Sequence, residues 1–277
     1  MVRVVVVLGL GLLLWSPVAH AAGVRWRRLQ PGVAYARLPV KPPAGIQIAD
    51  KNLYLVRIEP KRARLRLLMA SALDRKQRTA AEWARAHRLA AVINLGMYHP
   101  NHLTHVGYLR VGEHVNSRRW VPGYGSILAV GPRTPGHPAA LLLDRDREKM
   151  DQVLARYDGV VQNLRLIRAR GEQGEGVWSR QTRRWSEAAL AMDDRGRLLM
   201  VFTRVPLSMW ELNQLLLGLP LGIVRATHLE GGPEASLSIH AGGLRLDLCG
   251  SFESGFLPAD SNNEQWPLPN VLGVERR

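Results

Sequence analysis

Cysteine is almost missing from this chain. Cys249 stands alone, so no internal disulfide can staple the fold, and stability has to come from burial. Long apolar runs are missing too. Only Val4–Trp15, behind the basic Arg3, is continuous, and it falls well short of the roughly 20 residues that span a bilayer. Ala19-His20-Ala21 then offers small residues at the spacing a signal peptidase reads. The run is therefore expected to be a cleaved leader over 1–21, with no cysteine at the junction to accept a lipid. That reading predicts a periplasmic or secreted protein with no stable membrane span after cleavage. Internal repeats, low-complexity tracts, and helix-turn-helix or zinc-finger spacings are absent. Negative charge is short: the formal net charge is +15, carried almost wholly by arginine. Such an excess favours anionic partners. The basic residues are scattered with few aromatics between them, which argues against nucleic acid as the partner.

What is present is a succession of short apolar segments. Val33–Leu38, Leu53–Ile58, Leu65–Ala70, Ala90–Asn94, Val106–Val111, Ser126–Val130, Ala140–Leu143, Val160–Gln162, Ala188–Met192, Leu198–Thr203, Val224–Leu229 and Leu244–Leu248 all read as strands. Two helices announce themselves by capping boxes. In Thr79-Ala-Ala-Glu82 and Ser208-Met-Trp-Glu211 the hydroxyl and the carboxylate can satisfy two otherwise orphan N–H groups. A weaker helix is expected over Glu148–Tyr157, and Asp193-Asp-Arg-Gly196 reads as a hairpin turn. Many strands with few helices predict an α+β fold: one domain with a mixed, largely antiparallel sheet core and a few packed helices. Residues 22–50, with Pro31, Pro39, Pro42 and Pro43, are expected to be a loosely packed lead-in to a main domain over 51–277.

Three stretches carry candidate chemistry. In His228-Leu-Glu-Gly-Gly-Pro-Glu234 an apolar strand ends on Glu230. Gly231 and Gly232 remove side chains that would keep a ligand from the backbone, and Pro233 suits the start of a short helical turn. An acid and a set of N–H groups able to meet an anion would then sit together. The bland alternative makes Glu230 a cap on that turn and Glu234 a first-turn acid. In the second stretch Gly96 permits a tight turn past a buried strand, with Asn94, Tyr98 and His99 offering polar groups. His99, His102 and His105 are evenly spaced, yet Pro100 and Asn101 break any helix that would align them. Solvated loop histidines are expected, with no metal and no cofactor. In the third, Gln162, Asn163 and Arg165 lie on a strand. Arg165 is either a bidentate clamp for phosphate or a surface residue of an edge strand. Arg183-Arg184-Trp185 reads as a solvated loop.

In this order the stretches resemble the phosphodiester glycosidase family. Asn94-Leu-Gly-Met-Tyr98 is similar to its Asn-x-Gly-Met/Phe-Phe segment, and Gln162-Asn-Leu-Arg165 falls where its Gln-Ser-Gly-Pro stands. Glu230-Gly-Gly232 occupies the place of its Asp-Gly-Gly-Gly-Ser signature, and Pro269-Asn-Val-Leu272 is similar to its closing Val-Pro-Asn-Ala strand. The departures are a glutamate for the signature aspartate, Pro233 for the third glycine, and Glu187 where the family usually has arginine. The resemblance implies an exported hydrolase that cleaves a sugar-1-phosphodiester in a phosphorylated or anionic glycan. Glu230 would serve as base or nucleophile, with Glu187 as a second acid in the same cleft. Asn94, Gly96, Tyr98, His99, Gln162, Asn163, Arg165, Gly231, Gly232 and Glu234 would bind substrate. The alternative is a non-catalytic periplasmic protein of the same fold that binds anionic glycans.

Overall fold

The computed structural model describes residues 23–168, 176–256 and 258–277, so the expected leader lies outside the described residues. In chain order the strands are β1 (Arg27–Gln30), β2 (Val33–Pro39), β3 (Asn52–Ile58), β4 (Leu65–Met69), β5 (Leu89–Asn94), β6 (Leu109–Val111), β7 (His114–Ser117) and β8 (Ser126–Pro132). They continue with β9 (Ala140–Asp144), β10 (Tyr157–Ile167), β11 (Trp185–Asp193), β12 (Leu198–Leu207), β13 (Ile223–Gly231), β14 (Ser236–Ala241), β15 (Leu244–Cys249) and β16 (Asn270–Glu275). The helices are α1 (Ala80–Ala86), α2 (Met150–Arg156) and α3 (Met209–Gly218).

The strands form two sheets. The larger has the order β1-β2-β3-β12-β11-β13-β10-β6-β7, with β8 and β9 branching from β10; the smaller has the order β15-β14-β5-β16-β4. Every described strand pair is antiparallel, which makes this an antiparallel α+β domain. Alternating residues of the two inner faces, such as Val56, Leu190 and Phe202 opposite Leu67, Ile93 and Leu272, make one continuous core. The outer face of the larger sheet is covered by Leu212 and Leu216 of α3, and that of the smaller sheet by Trp83 of α1. Val153 of α2 packs on Ile127 and Val160.

Local chemistry explains the helices. Thr79 Oγ1 accepts from the Glu82 N–H at 3.2 Å while Glu82 Oε2 accepts from the Thr79 N–H at 2.8 Å. Ser208 and Glu211 repeat the exchange at 3.2 and 2.9 Å. A seven-residue helix such as α1 is marginal alone; the fully buried Trp83, whose Nε1–H donates to Leu268 O at 3.0 Å, fixes it to the sheet. At the β11–β12 turn Gly196 has φ +72°, as a hairpin of this kind needs. The lead-in is not loose: β2 pairs along its whole length with β3, and Val33 and Ala36 are buried. Proline sits only at its ends, where no ladder N–H is required.

Candidate active site

The ends of β5, β13 and β16, the middle of β10 and the start of β11 converge at one end of the sandwich. Asn94 ties two of the stretches together. Its Nδ2 donates to Glu234 O at 2.9 Å, and its Oδ1 accepts from the Ser236 N–H at 2.8 Å. Asn163 Nδ2 donates to Leu95 O at 2.9 Å, and a side chain on Gly96 would collide with both Asn163 Oδ1 and the His105 ring. Glycine at 96 thus follows from close approach. Gln162 Nε2 donates to Val121 O and Tyr124 O at 2.8 and 2.7 Å, and its Oε1 accepts from the Val121 N–H at 2.9 Å. One buried amide therefore fixes the loop that carries Tyr124. These residues are braces: they bond backbone and set the positions of others.

Glu230 stands where the register of the larger sheet slips. Ala188 opposes Glu230, but Ala189 opposes His228, so β13 carries one residue more than β11 at this point. Such a bulge bends the strand and re-aims its side chains. Glu230 keeps some solvent contact, yet its proton affinity is pushed well above the ordinary carboxylate range, first by burial, then by the like charges of Glu234, Glu187 and Glu253. The Gly231 N–H donates to Glu230 Oε1 at 3.1 Å and opposes that rise. Burial also raises Glu234 and Glu253. Two phenols border the acids: burial and then the Glu230 charge raise both Tyr98 and Tyr124, keeping them neutral donors.

Glu187 lies behind this surface, fully buried, with Oε2 at 2.8 Å from Nδ1 of the buried His228. Burial raises its proton affinity, and His228 counteracts it. Its Oε1 has no partner, and the Trp185 indole N–H lies toward the carboxylate without meeting hydrogen-bond geometry. Trp185 itself rests on Gly231, where a Cβ would come within 2.4 Å of the ring. Gly232 adopts φ +68° and opens a short 3-10 turn, Gly232–Glu234, that no side chain caps.

Several expectations meet a different arrangement. Arg165 Nη1 is paired with Asp144 and, at 2.9 Å, with Asp146 of the segment after β9. Its guanidinium packs over Gly125, with Nη1 held by the two aspartates and Nε buried without a partner. The Gly231 N–H that was to meet an anion bonds Glu230 instead. His105 is no solvated loop residue: fully enclosed, its Nε2–H donates to Gln162 O at 2.9 Å, and burial lowers its pKa to about 4. His99 remains on the loop, its N–H donating to Thr104 O at 2.8 Å. Among the described residues no group of His, Cys, Asp and Glu has a metal-binding arrangement. Sequence reading missed Glu253 and Tyr124. Glu253 comes from the 250–268 loop, which carries no periodicity, and Tyr124 had only flanking glycines to mark it.

This antiparallel sandwich thus gathers a cluster of carboxylates of raised proton affinity at one end. Residues 87–275 match the family model for phosphodiester glycosidase, and the chain belongs to that family. Its fold is similar to the zebrafish N-acetylglucosamine-1-phosphodiester alpha-N-acetylglucosaminidase catalytic domain auto-inhibited by its pro-peptide, with TM-score 0.57, 13% identity and 88% of each chain covered. It is also similar to a hypothetical protein from Synechocystis, with TM-score 0.56, 17% identity, 90% of this chain and 64% of that one covered. A third likeness is to a putative exported protein from Burkholderia pseudomallei K96243, with TM-score 0.52, 12% identity, and coverage of 81% and 74%. Comparison with curated proteins finds no match. No helix among the described residues is long and apolar enough to cross a membrane.

Proposed function

We propose that the carboxylate cluster around Glu230 hydrolyses the bond between an anomeric carbon and a phosphodiester oxygen, with Glu230 as the general base. The observation that carries this reading is the raised proton affinity of Glu230 among three further carboxylates. A carboxylate of raised proton affinity is a stronger base toward attacking water than an ordinary one. The same cluster favours the positive charge that develops at the anomeric carbon, while the departing phosphate ester needs little protonation. Glu187 touches no substrate in this scheme. It acts through Glu230 by its charge and holds His228 in place.

Asn94, Gly96, Gln162 and Asn163 position the loops. Tyr98, Tyr124 and Glu234 face the sugar, and the backbone of Gly231 and Gly232 lets it approach. Arg119, whose charge reaches Tyr124, serves as counter-ion to the phosphate in place of the engaged Arg165. The substrate is a phosphorylated glycan met in the periplasm or medium, and protein recovered there should begin at Ala22 by intact mass. Incubation with a panel of sugar-1-phosphodiesters, following free sugar, tests the chemistry. Release by the wild type and its loss in Glu230→Gln is the expected result. A wild type that binds these compounds and cleaves none at any pH would instead be a glycan-phosphate binding protein.

A further inference from the structure

At the other end of β16 from the Glu230 cluster, an open groove of about 480 Å³ separates the edge strand β4 from β6, β8 and β10. Its floor is apolar, made by Leu65, Leu67, Val111 and Val130, and its rim is basic, made by Lys61, Arg64, Arg66 and Arg277. The floor is shaped by close approach: a side chain on Gly159 would come within 2.6 Å of Leu67 Cδ1. Positive charge outnumbers negative charge around the groove. Arg64 and Arg66 share the single carboxylate of Glu275 at 3.7 and 3.5 Å. Asp158 also lines the groove and lies 3.8 Å from Arg133, which is not part of the lining, and Lys61 has no acidic partner among the described residues.

An inorganic anion would use the rim and leave the floor bare, whereas a neutral hydrocarbon would leave the cations without a partner. A molecule with both parts satisfies both surfaces, and the volume lies within the range of small-ligand sites. We propose that this groove binds an anionic lipid, one acyl chain along the Leu65–Val130 floor and the phosphate on Lys61, Arg64 and Arg66. The site is separate from the Glu230 cluster, because the two lie at opposite ends of β16.

Titration calorimetry of the whole protein with hexyl phosphate, octyl phosphate and inorganic phosphate reads the two parts separately. Each buried methylene contributes about 0.8 kcal/mol, so octyl phosphate should bind about tenfold more tightly than hexyl phosphate. Inorganic phosphate should bind more weakly than either. Lys61 and Arg64 are exposed, so the double variant Lys61→Glu/Arg64→Glu should stay folded by circular dichroism. It should weaken octyl phosphate by about tenfold or more through loss of charge-assisted contacts. Co-sedimentation with vesicles of phosphatidylglycerol, but not of phosphatidylcholine, should be lost in the same variant and be competed by octyl phosphate. Equal affinity for the three phosphates, or vesicle binding that survives the charge reversal, would overturn the assignment. Neither readout depends on hydrolysis at Glu230.

Discussion

The chain holds two clusters of carboxylates and disposes of their charge in opposite ways. After β9, Asp144 and Asp146 meet Arg165, and Arg168 lies 3.5 Å from Asp144. The bond from Arg165 holds Asp146 below the usual carboxylate range. At the end of β13, Glu230, Glu234, Glu253 and Glu187 have no Arg or Lys partner among the described residues, and all four are raised, with burial as the largest cause. In a chain of net charge +15, a buried acidic group without a cation cannot be explained by scarcity of arginine. Neutralised carboxylates lock a strand end in place; carboxylates left to compete for protons are poised for proton transfer.

The largest test of this contrast is Glu230→Gln. Release of free sugar should fall by about 10²–10⁴-fold, the range of lost general-base catalysis, while ligand binding by calorimetry persists. Full turnover in a folded variant would erase the distinction between the clusters. On the other side, Arg165→Leu removes the nearer of the two guanidinium groups beside the nearly fully buried Asp144 and leaves Arg168 at 3.5 Å. Denaturant unfolding should show a loss of up to about 3 kcal/mol, the figure for a buried charge left wholly unpaired. The KM for a phosphodiester should stay within about twofold if Arg165 makes no substrate contact, and a large rise in KM would return it to the phosphate. Glu187→Gln keeps an acceptor for His228 but removes a like charge from Glu230. The limb of the pH–rate profile governed by Glu230 should then move to lower pH by up to about one unit. An unmoved limb would separate the two residues electrostatically.

The smallest effect concerns stability. Because folding raises the proton affinity of Glu230, its stabilising contribution is present below the ordinary carboxylate range and is lost as pH rises through its folded value. Asp146 has the opposite sign, its contribution lost as pH falls. Thermal melts from pH 5 to 8 should therefore decline less in Glu230→Gln than in the wild type, by no more than about 3 °C for a chain of this length. An identical slope would mean that Glu230 carries no excess proton in the folded state.

How much of this was legible in the sequence depends on the range of the interaction. Both capping boxes and the Asp193–Gly196 turn are settled by residues within four positions of one another, and they form as read. Strands with dense apolar runs, such as β5 and β12, were equally plain. β14 was hidden, since Ser236-Leu-Ser-Ile-His240 alternates within what read as the tail of a motif. β1 and β7 have only four residues each. Within the site, Glu230 and the Asn94, Gln162 and Asn163 braces were visible as types. The engagement of Arg165 by Asp144, about 20 residues earlier, was not, because it is decided by the pairing of β8 with both β9 and β10. His228 faced Glu187 only once the register was known.

The slip opposite Ala188 has a further consequence for how such a site can be lost or gained. The position of Glu230 depends on chain length as much as on residue type: β13 presents His228, Leu229 and Glu230 where β11 supplies only Ala188 and Ala189. Removing Leu229 would let the ladder close without interruption, with Glu230 still opposite Ala188 and Gly231 still opposite Glu187. The bend that re-aims the Glu230 side chain would be lost with the extra residue. A single-codon deletion would thus abolish the site while leaving each of its residues in the sequence, a change invisible to any comparison that counts only substitutions.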